Sequence, residues 1–339
     1  MLAIIDCGTT NTRVYIINKS TEIIAQSTRK VGVRNTSMTG SKDTLRNGVV
    51  EAVQEALGLA GLQEKDIEFA IASGMITSEI GLLEIPHLIA PVGLDELAAN
   101  AVLVPPGEVL PLQMPILFIR GVRNDYGENA TLADIRKVDF MRGEETQMMG
   151  IIDDMQISEP TNVIVLSSHT KIIHLNSKRQ IQASLTTISG QLYEAVLKQT
   201  MIGQSLVAIE GEQSGGYSFE EIVAIAQEVT EDTGLDRCLM IPRFMQVLLT
   251  TDYKERNLFI DASIAVDDMK CIDDFERQGF MARTFILFGH SNRCDLYSHL
   301  LKRKYGNNIK LICLSDSEKL GQLTIRGALL IADRYRAIS

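Results

Sequence analysis

The chain has 339 residues, a net charge of −10, 45% hydrophobic and 22% charged residues, which excludes a disordered or low-complexity protein and suits about two folded domains. An acidic chain with no Lys/Arg run is poorly suited to following a phosphate backbone, so nucleic acid is not an expected partner. No apolar stretch approaches the ~20 residues of a membrane helix, Asp6 breaks the first apolar run, so that no signal peptide is expected, and Cys7, Cys238, Cys271, Cys294 and Cys313 show no metal spacing, so they read as free thiols of a reducing cytoplasm.

In chain order, the apolar run Met1–Ile5 and the β-rich runs Thr12–Ile17 and Thr21–Gln26 are separated by tight polar breaks, which predicts a three-stranded meander. A helix is expected over Lys42–Leu59, with Leu45, Val49, Val50, Val53, Ala56 and Leu57 at helical spacing. A buried strand follows at Asp66–Ser73, then a helix at Leu94–Leu103, a strand at Pro115–Arg120 and a helix at Gly143–Ile152. The order then repeats: three close strands at Asn162–Leu166, Lys171–Leu175 and Gln180–Leu185 precede helices at Gly190–Gln199, Ser218–Thr230 and Cys238–Thr251. Strand and helix alternate to the end, at Thr284–Phe288, Ser291–Lys302, Ile309–Cys313 and Leu320–Tyr335. Asp153–Pro160 is the expected joint, because Pro160 disfavours helix before it. Two α/β halves that each open with a meander suggest an enzyme holding its ligand in a cleft.

The sharpest chemical signal is Asp6-Cys7-Gly8-Thr9-Thr10-Asn11-Thr12-Arg13, between the first two strands. A Gly-Thr-Thr turn exposes amides and hydroxyls that can surround phosphate oxygens. Asp6, at the strand end, can hold a hydrated Mg²⁺ against them, because Mg²⁺ takes few carboxylates and keeps waters. Ser167-Ser168-His169-Thr170-Lys171 stands at the corresponding turn of the second meander and offers hydroxyls, an imidazole and an ammonium. Arg142-Gly143-Glu144-Glu145 opens a helix, where paired acids are commonly dipole partners but can instead take a proton from an attacking hydroxyl, with Asp139 as rival. Arg142 could clamp a substrate carboxylate. Ser73-Gly74-Met75-Ile76-Thr77-Ser78 and Phe288-Gly289-His290-Ser291 end strands, where binding loops concentrate.

With these segments in view, the chain resembles the 2-dehydro-3-deoxygalactonokinase family, sugar-acid kinases of the actin/hexokinase/Hsp70 superfamily. The opening Asp-Cys-Gly-Thr-Thr-Asn-Thr-Arg looks like the family's first phosphate motif, and Ser73-Gly74-Met75 with Ser78, Gly81 and Glu84-Ile85-Pro86-His87 like its substrate-side loop. Asp139-Phe140-Met141-Arg142-Gly143-Glu144-Glu145-Thr146-Gln147 is its most specific stretch, while Phe288-Gly289-His290-Ser291 is similar to the adenosine-side turn and Gly327 also fits. In the second phosphate turn Ser167 stands where the family has glycine.

The resemblance implies an α/β fold of two ribonuclease-H-like domains (duplicated βββαβαβα), residues 1–155 and 156–339, with an interdomain cleft. It implies a cytoplasmic, ATP- and Mg²⁺-dependent kinase that phosphorylates 2-dehydro-3-deoxy-D-galactonate at O6, with a homodimer compatible. Asp6, Gly8, Thr9, Thr10, Asn11, Ser168, His169, Lys171, Gly289 and His290 would hold the nucleotide, Asp6 also the metal. Arg13, Gly74, Met75, Ser78, His87 and Arg142 would hold the acid, and Glu144, Glu145 or Asp139 would act as base. Two other functions fit the same fold: a phosphohydrolase of exopolyphosphatase type, and a non-catalytic sugar-acid sensor, which Ser167 would favour.

Overall fold

The computed structural model describes residues 1–338, the side chains of 317 and 320 excepted. The first half runs β1 (Leu2–Cys7), β2 (Thr12–Ile17), β3 (Ile23–Arg29), α1 (Val33–Thr39), α2 (Asp43–Ala60), β4 (Phe69–Gly74), β5 (Leu88–Ile89), α3 (Leu94–Ala99), β6 (Val102–Val104), β7 (Ile116–Phe118), β8 (Val122–Arg123), β9 (Phe140–Met141) and α4 (Glu144–Asp154). The second runs β10 (Thr161–Leu166), β11 (Thr170–Leu175), β12 (Ile181–Thr187), α5 (Ser189–Gln199), α6 (Phe219–Thr233), α7 (Leu235–Leu248), α8 (Tyr253–Arg277), β13 (Thr284–Gly289), α9 (Ser291–Tyr305), β14 (Lys310–Leu314) and α10 (Ser317–Ile338).

The first sheet has the order β3-β2-β1-β4-β7-β6 and the second β12-β11-β10-β13-β14. Both therefore begin with a three-strand meander whose first strand pairs with a later parallel strand, β4 in one and β13 in the other. This is the duplicated topology that the sequence pattern implies. On β1 the side chains alternate: Ala3, Ile5 and Cys7 join the apolar face of α2, with Leu45, Val49, Ala52 and Val53, in one buried cluster. Ile4 and Asp6 take the other face, where Asp6 stands in register with Arg13 on β2 and Ser73 on β4. The strand that builds the core thus also delivers one carboxylate to its C-terminal end.

Three differences from the sequence reading have physical causes. The helix expected over Leu94–Leu103 stops at Ala99, because Val102–Val104 pairs antiparallel with β7 and completes the sheet edge. The 25-residue α8 has no counterpart among the predicted helices. It buries Glu255, Arg256 and Asp268 among its apolar residues, which interrupts the 3.6-residue hydrophobic period by which a helix is recognised. Its start is nonetheless local: Asp252 accepts from the Glu255 amide at 2.9 Å and Glu255 accepts from the Asp252 amide at 2.8 Å, a reciprocal capping box.

The third concerns domain limits. The compact bodies are Met1–Glu159 with Leu175–Ser184 and Gly321–Ser339, and Pro160–His174 with Leu185–Leu320, instead of a single cut at 155. The last helix belongs to the first body because it packs on α4 at backbone distance, where a Cβ on Gly327 would lie 1.8 Å from the Thr146 carbonyl oxygen. The tip of the β11–β12 hairpin joins the same body, as Val92 and Ile181 form a bridge, with the Val92 amide 2.9 Å from the Ile181 oxygen. Among the described residues no helix is long and apolar enough to cross a membrane.

Candidate active site

The first turn closes on itself, with the Gly8 amide 2.9 Å from the Asn11 oxygen. Its carbonyls are tied outward: the Val33 and Arg34 amides, at the start of α1, donate to Gly8 O at 3.3 Å and Thr9 O at 2.9 Å. A trans peptide is planar, so fixing these oxygens turns the following amides, those of Thr9 and Thr10, to the opposite side. Asp6 lies just before the turn and accepts from Arg13 at 3.2 Å, with side-chain exposures of 20% and 48%. Burial pushes the Asp6 carboxyl above its usual pKa, against the opposing charge and hydrogen bond of Arg13. The neighbouring Ser73 hydroxyl is buried and has no hydrogen-bond partner among the described residues.

The ends of β1 and β4 and the start of α4 meet through two glycines. Gly74 has φ +90° and a Cβ there would sit 2.5 Å from the Cys7 oxygen; Gly143 has φ +109° with its Cβ position 3.3 Å from the Gly74 Cα. Both conformations are costly for any residue with a Cβ. This backbone contact brings the Asp6 strand end, the loop after β4 and the Arg142–Glu145 stretch into one neighbourhood.

Arg142 departs from its expected role as a carboxylate clamp. It is buried, and its guanidinium donates to the Thr77 hydroxyl and the Ile85 oxygen, both at 2.8 Å. It therefore fixes the loop that carries Met75, Ser78 and His87. That loop is further held by Ser78, whose hydroxyl donates to Met75 O at 2.7 Å, and by the His87 ring, 5.0 Å from that of Phe140. Asp139 is half-buried and its carboxylate accepts from the Phe140 amide at 2.8 Å.

The paired acids separate clearly. Glu144 is half-buried, whereas Glu145 is fully buried and both its oxygens accept from the Gly143 amide, at 2.9 and 2.7 Å. Burial, then the Glu144 charge, pushes the Glu145 carboxyl up to about 8, against the Gly143 hydrogen bonds. A carboxyl raised in the folded state stabilises it fully below the unfolded pKa near 4.5, and this contribution fades as pH climbs towards 8. Glu145→Gln should flatten that slope. Chemical denaturation from pH 5 to 8 should show the wild type losing up to about 1 kcal/mol per pH unit relative to the variant. Parallel pH profiles would refute the assignment.

In the second turn, the Ser167 amide lies 3.0 Å from the His169 oxygen, and the Ser168 hydroxyl 3.2 Å from His169 Nδ1. Its carbonyls are tied back as in the first turn: Arg293 donates to Ser167 O at 3.0 Å and the Gln191 amide to Ser168 O at 2.8 Å. Lys171 points elsewhere than a phosphate-facing position suggests; it is buried on β11 and its ammonium donates to Thr186 at 2.6 Å. Gly289 is paired in register with Leu166, so Gly289 and the exposed His290 flank the start of this turn. Sequence reasoning did not single out Arg293, although it lies one helical turn beyond the Gly289-His290 motif.

Among the described residues no cluster of three or more His, Cys, Asp or Glu is arranged to hold a metal ion. A single carboxylate beside a buried hydroxyl with no partner among the described residues fits a Mg²⁺ that keeps its waters and takes further oxygens from phosphates, while the Thr9 and Thr10 amides suit the phosphates themselves.

The chain is a phosphotransferase with an alcohol group as acceptor, a class set by its family. The chain belongs to the 2-keto-3-deoxy-galactonokinase family, whose family model it matches over residues 6–319. It is 24% identical over 226 residues to a probable 2-dehydro-3-deoxygalactonokinase, DgoK1, of Rhizobium meliloti (strain 1021), covering 67% of this chain and 66% of that protein. The crystal structure of a putative 2-dehydro-3-deoxygalactonokinase protein from Sinorhizobium meliloti superposes with a TM-score of 0.71 at 20% identity over 100% of this chain and 99% of that one. A reductive activator for a corrinoid, iron-sulfur protein shares the fold at a TM-score of 0.50 and 13% identity, over 98% of this chain and 60% of its own.

Proposed function

We propose that this protein transfers the γ-phosphoryl group of MgATP to the O6 hydroxyl of 2-dehydro-3-deoxy-D-galactonate; the family name, 2-keto-3-deoxy-galactonokinase, supports the kinase and the class of acid. One observation supports phosphoryl transfer above others: two turns at equivalent places in the two meanders, each with two carbonyls tied outward, so that amides face the opposite side. Thr9 and Thr10 bind phosphate oxygens through these amides and their hydroxyls, while Gly8 and Asn11 shape the turn. Ser168 and His169 do the same from the second turn, with Gly289 and His290 on the adenosine side. Asp6 would hold the hydrated Mg²⁺, which supplies charge neutralisation on the phosphates. Arg13 orients the Asp6 carboxylate through its 3.2 Å contact and opposes the upward pull of burial on its pKa.

On the acceptor side, Met75, Ser78 and His87 form the sugar-acid loop and Arg142 acts as its positioning residue. Glu144 takes the proton from the O6 hydroxyl, with Asp139 as the alternative, because Glu145 is turned into its own helix start. Phosphoryl transfer depends mainly on alignment and charge stabilisation, so a modest base suffices.

The test is ADP release from MgATP by the purified protein, with and without a panel of 2-dehydro-3-deoxy sugar acids. Release that depends on the acid, and is fastest with 2-dehydro-3-deoxy-D-galactonate, is the expected result. Acid-independent phosphate release would replace the kinase with a hydrolase. Thermal stabilisation by an acid without turnover would make the protein a sensor.

A further inference from the structure

We propose that a buried relay centred on Asp268 orients the second phosphate turn, with Tyr297 and Ser189 as its two arms; the inference rests on the kinase reading above. Asp268, on α8, is 4% exposed, and its donors among the described residues are three hydroxyls. Thr187 donates at 2.8 Å, Ser189 at 2.7 Å to both carboxylate oxygens, and Tyr297 donates to Oδ2. Removing a carboxylate from water is costly, and an apolar residue would pack the same volume at lower cost. The observed choice therefore calls for a role that hydrogen bonds perform and packing cannot.

The two arms end on the two carbonyls of the turn. Along the first, the Tyr297 hydroxyl lies 3.4 Å from Thr170 Oγ1 and accepts from Arg293 at 3.3 Å, while the same guanidinium reaches Thr170 at 3.1 Å and Ser167 O at 3.0 Å. Along the second, Ser189 anchors the first residue of α5, and the Gln191 amide two residues on donates to Ser168 O at 2.8 Å. One carboxylate thereby sets the positions of both donors. Because each peptide is planar, holding the Ser167 and Ser168 oxygens sets the direction of the Ser168 and His169 amides. Burial and the adjacent carboxylate also hold the Tyr297 phenol well above its usual pKa, so it stays a donor throughout the neutral range. Rigid amides bind phosphate without paying for ordering at the moment of binding, which is where such preorganisation acts. In the first turn the same tying is done by main-chain amides at 33 and 34; in the second, Ser167 O is held by the Arg293 side chain and the Gln191 amide starts a helix anchored by the Ser189 side chain, so this turn is open to point substitution.

The measurement is calorimetric titration of wild type, Tyr297→Phe and Asp268→Asn with Mg²⁺ and a non-hydrolysable ATP analogue, alongside KM for ATP and for the sugar acid. Tyr297→Phe keeps the ring packing and should raise the analogue's Kd and the KM for ATP about tenfold, the loss of one charge-coupled hydrogen bond. KM for the acid should stay within about twofold, because its loop follows β4, in the other body. Asp268→Asn should act in the same direction and more strongly. A purely structural role would lower the melting temperature and the active fraction but leave Kd unchanged; wild-type Kd in a folded Tyr297→Phe protein overturns the relay. Wild-type protein that binds the analogue but phosphorylates no acid would refute the kinase reading, and the titration would still decide the relay. Absence of nucleotide binding would overturn both.

Discussion

Asp6→Asn should lower phosphoryl transfer by about a thousandfold or more while the melting temperature at neutral pH holds or rises. The loss follows from the proposed role: the variant keeps the shape of the strand end but not the negative charge that would face hydrated Mg²⁺. The stability outcome follows from the direction of the Asp6 shift. Burial raises its pKa in the folded protein, so the folded state prefers the neutral carboxyl. Its favourable contribution is present below the usual value of 3.8 and is lost as pH rises through the raised value, so at neutral pH the buried carboxyl no longer adds to stability. Asparagine has no charge to bury, and the sacrificed ion pair to the half-exposed Arg13 contributes at most about 1 kcal/mol. Activity and stability should therefore move apart, as expected of a residue retained for chemistry. Steady-state kinetics and thermal melts on one preparation read both quantities, and near-wild-type turnover would remove the metal assignment.

Gly327→Ala should destabilise the first body by about 3 kcal/mol or more, enough to unfold a protein of ordinary stability near physiological temperature. The new Cβ would lie 1.8 Å from Thr146 O and 2.9 Å from Thr146 C, both backbone atoms that no rotamer change can move aside. α4 and α10 would have to separate, and the contact is reciprocal: a Cβ on Gly150 would lie 2.0 Å from Leu323 O. Gly150→Ala should cost a similar amount, and the double variant less than the sum, because one separation relieves both clashes. Separation would also shift the start of α4, where Arg142, Glu144 and Glu145 sit, so any folded fraction should show reduced turnover. Urea midpoints provide the check, and a Gly327→Ala midpoint equal to that of the wild type would mean that the two helices do not touch at these glycines.

Much of this architecture is legible from local signals. Thr12–Ile17 is rich in β-branched and aromatic residues and is bounded by turn residues, so its strand limits coincide with those observed. Gly8-Thr9-Thr10 and Ser167-Ser168-His169 announce turns because small polar residues stabilise them locally. Helix α2 is visible because its apolar residues recur at helical spacing and Gly61 terminates it with φ +66°. The positions of Asp6 and the two turns follow from that local order, since a meander brings its turns to strand ends whatever lies further along the chain.

The roles of individual charged residues were decided by the tertiary structure. Arg142 binds Thr77 and Ile85, 65 and 57 residues earlier, and no local spacing encodes such partners. Glu144 and Glu145 are chemically equal in the sequence; only the helix start and the packing around it leave one half-buried and bury the other fully. Lys171 reads as a phosphate ligand by its place after a turn, yet strand alternation turns it inward to Thr186. Asp268 interrupts the apolar pattern of α8 and so concealed the helix in which it sits, although it holds three hydroxyls from distant segments. Turns, caps and periodic apolar faces depend on interactions within a few residues and are written along the chain. Burial of charge and close backbone approach depend on partners far apart in sequence, and become defined only when the chain has folded.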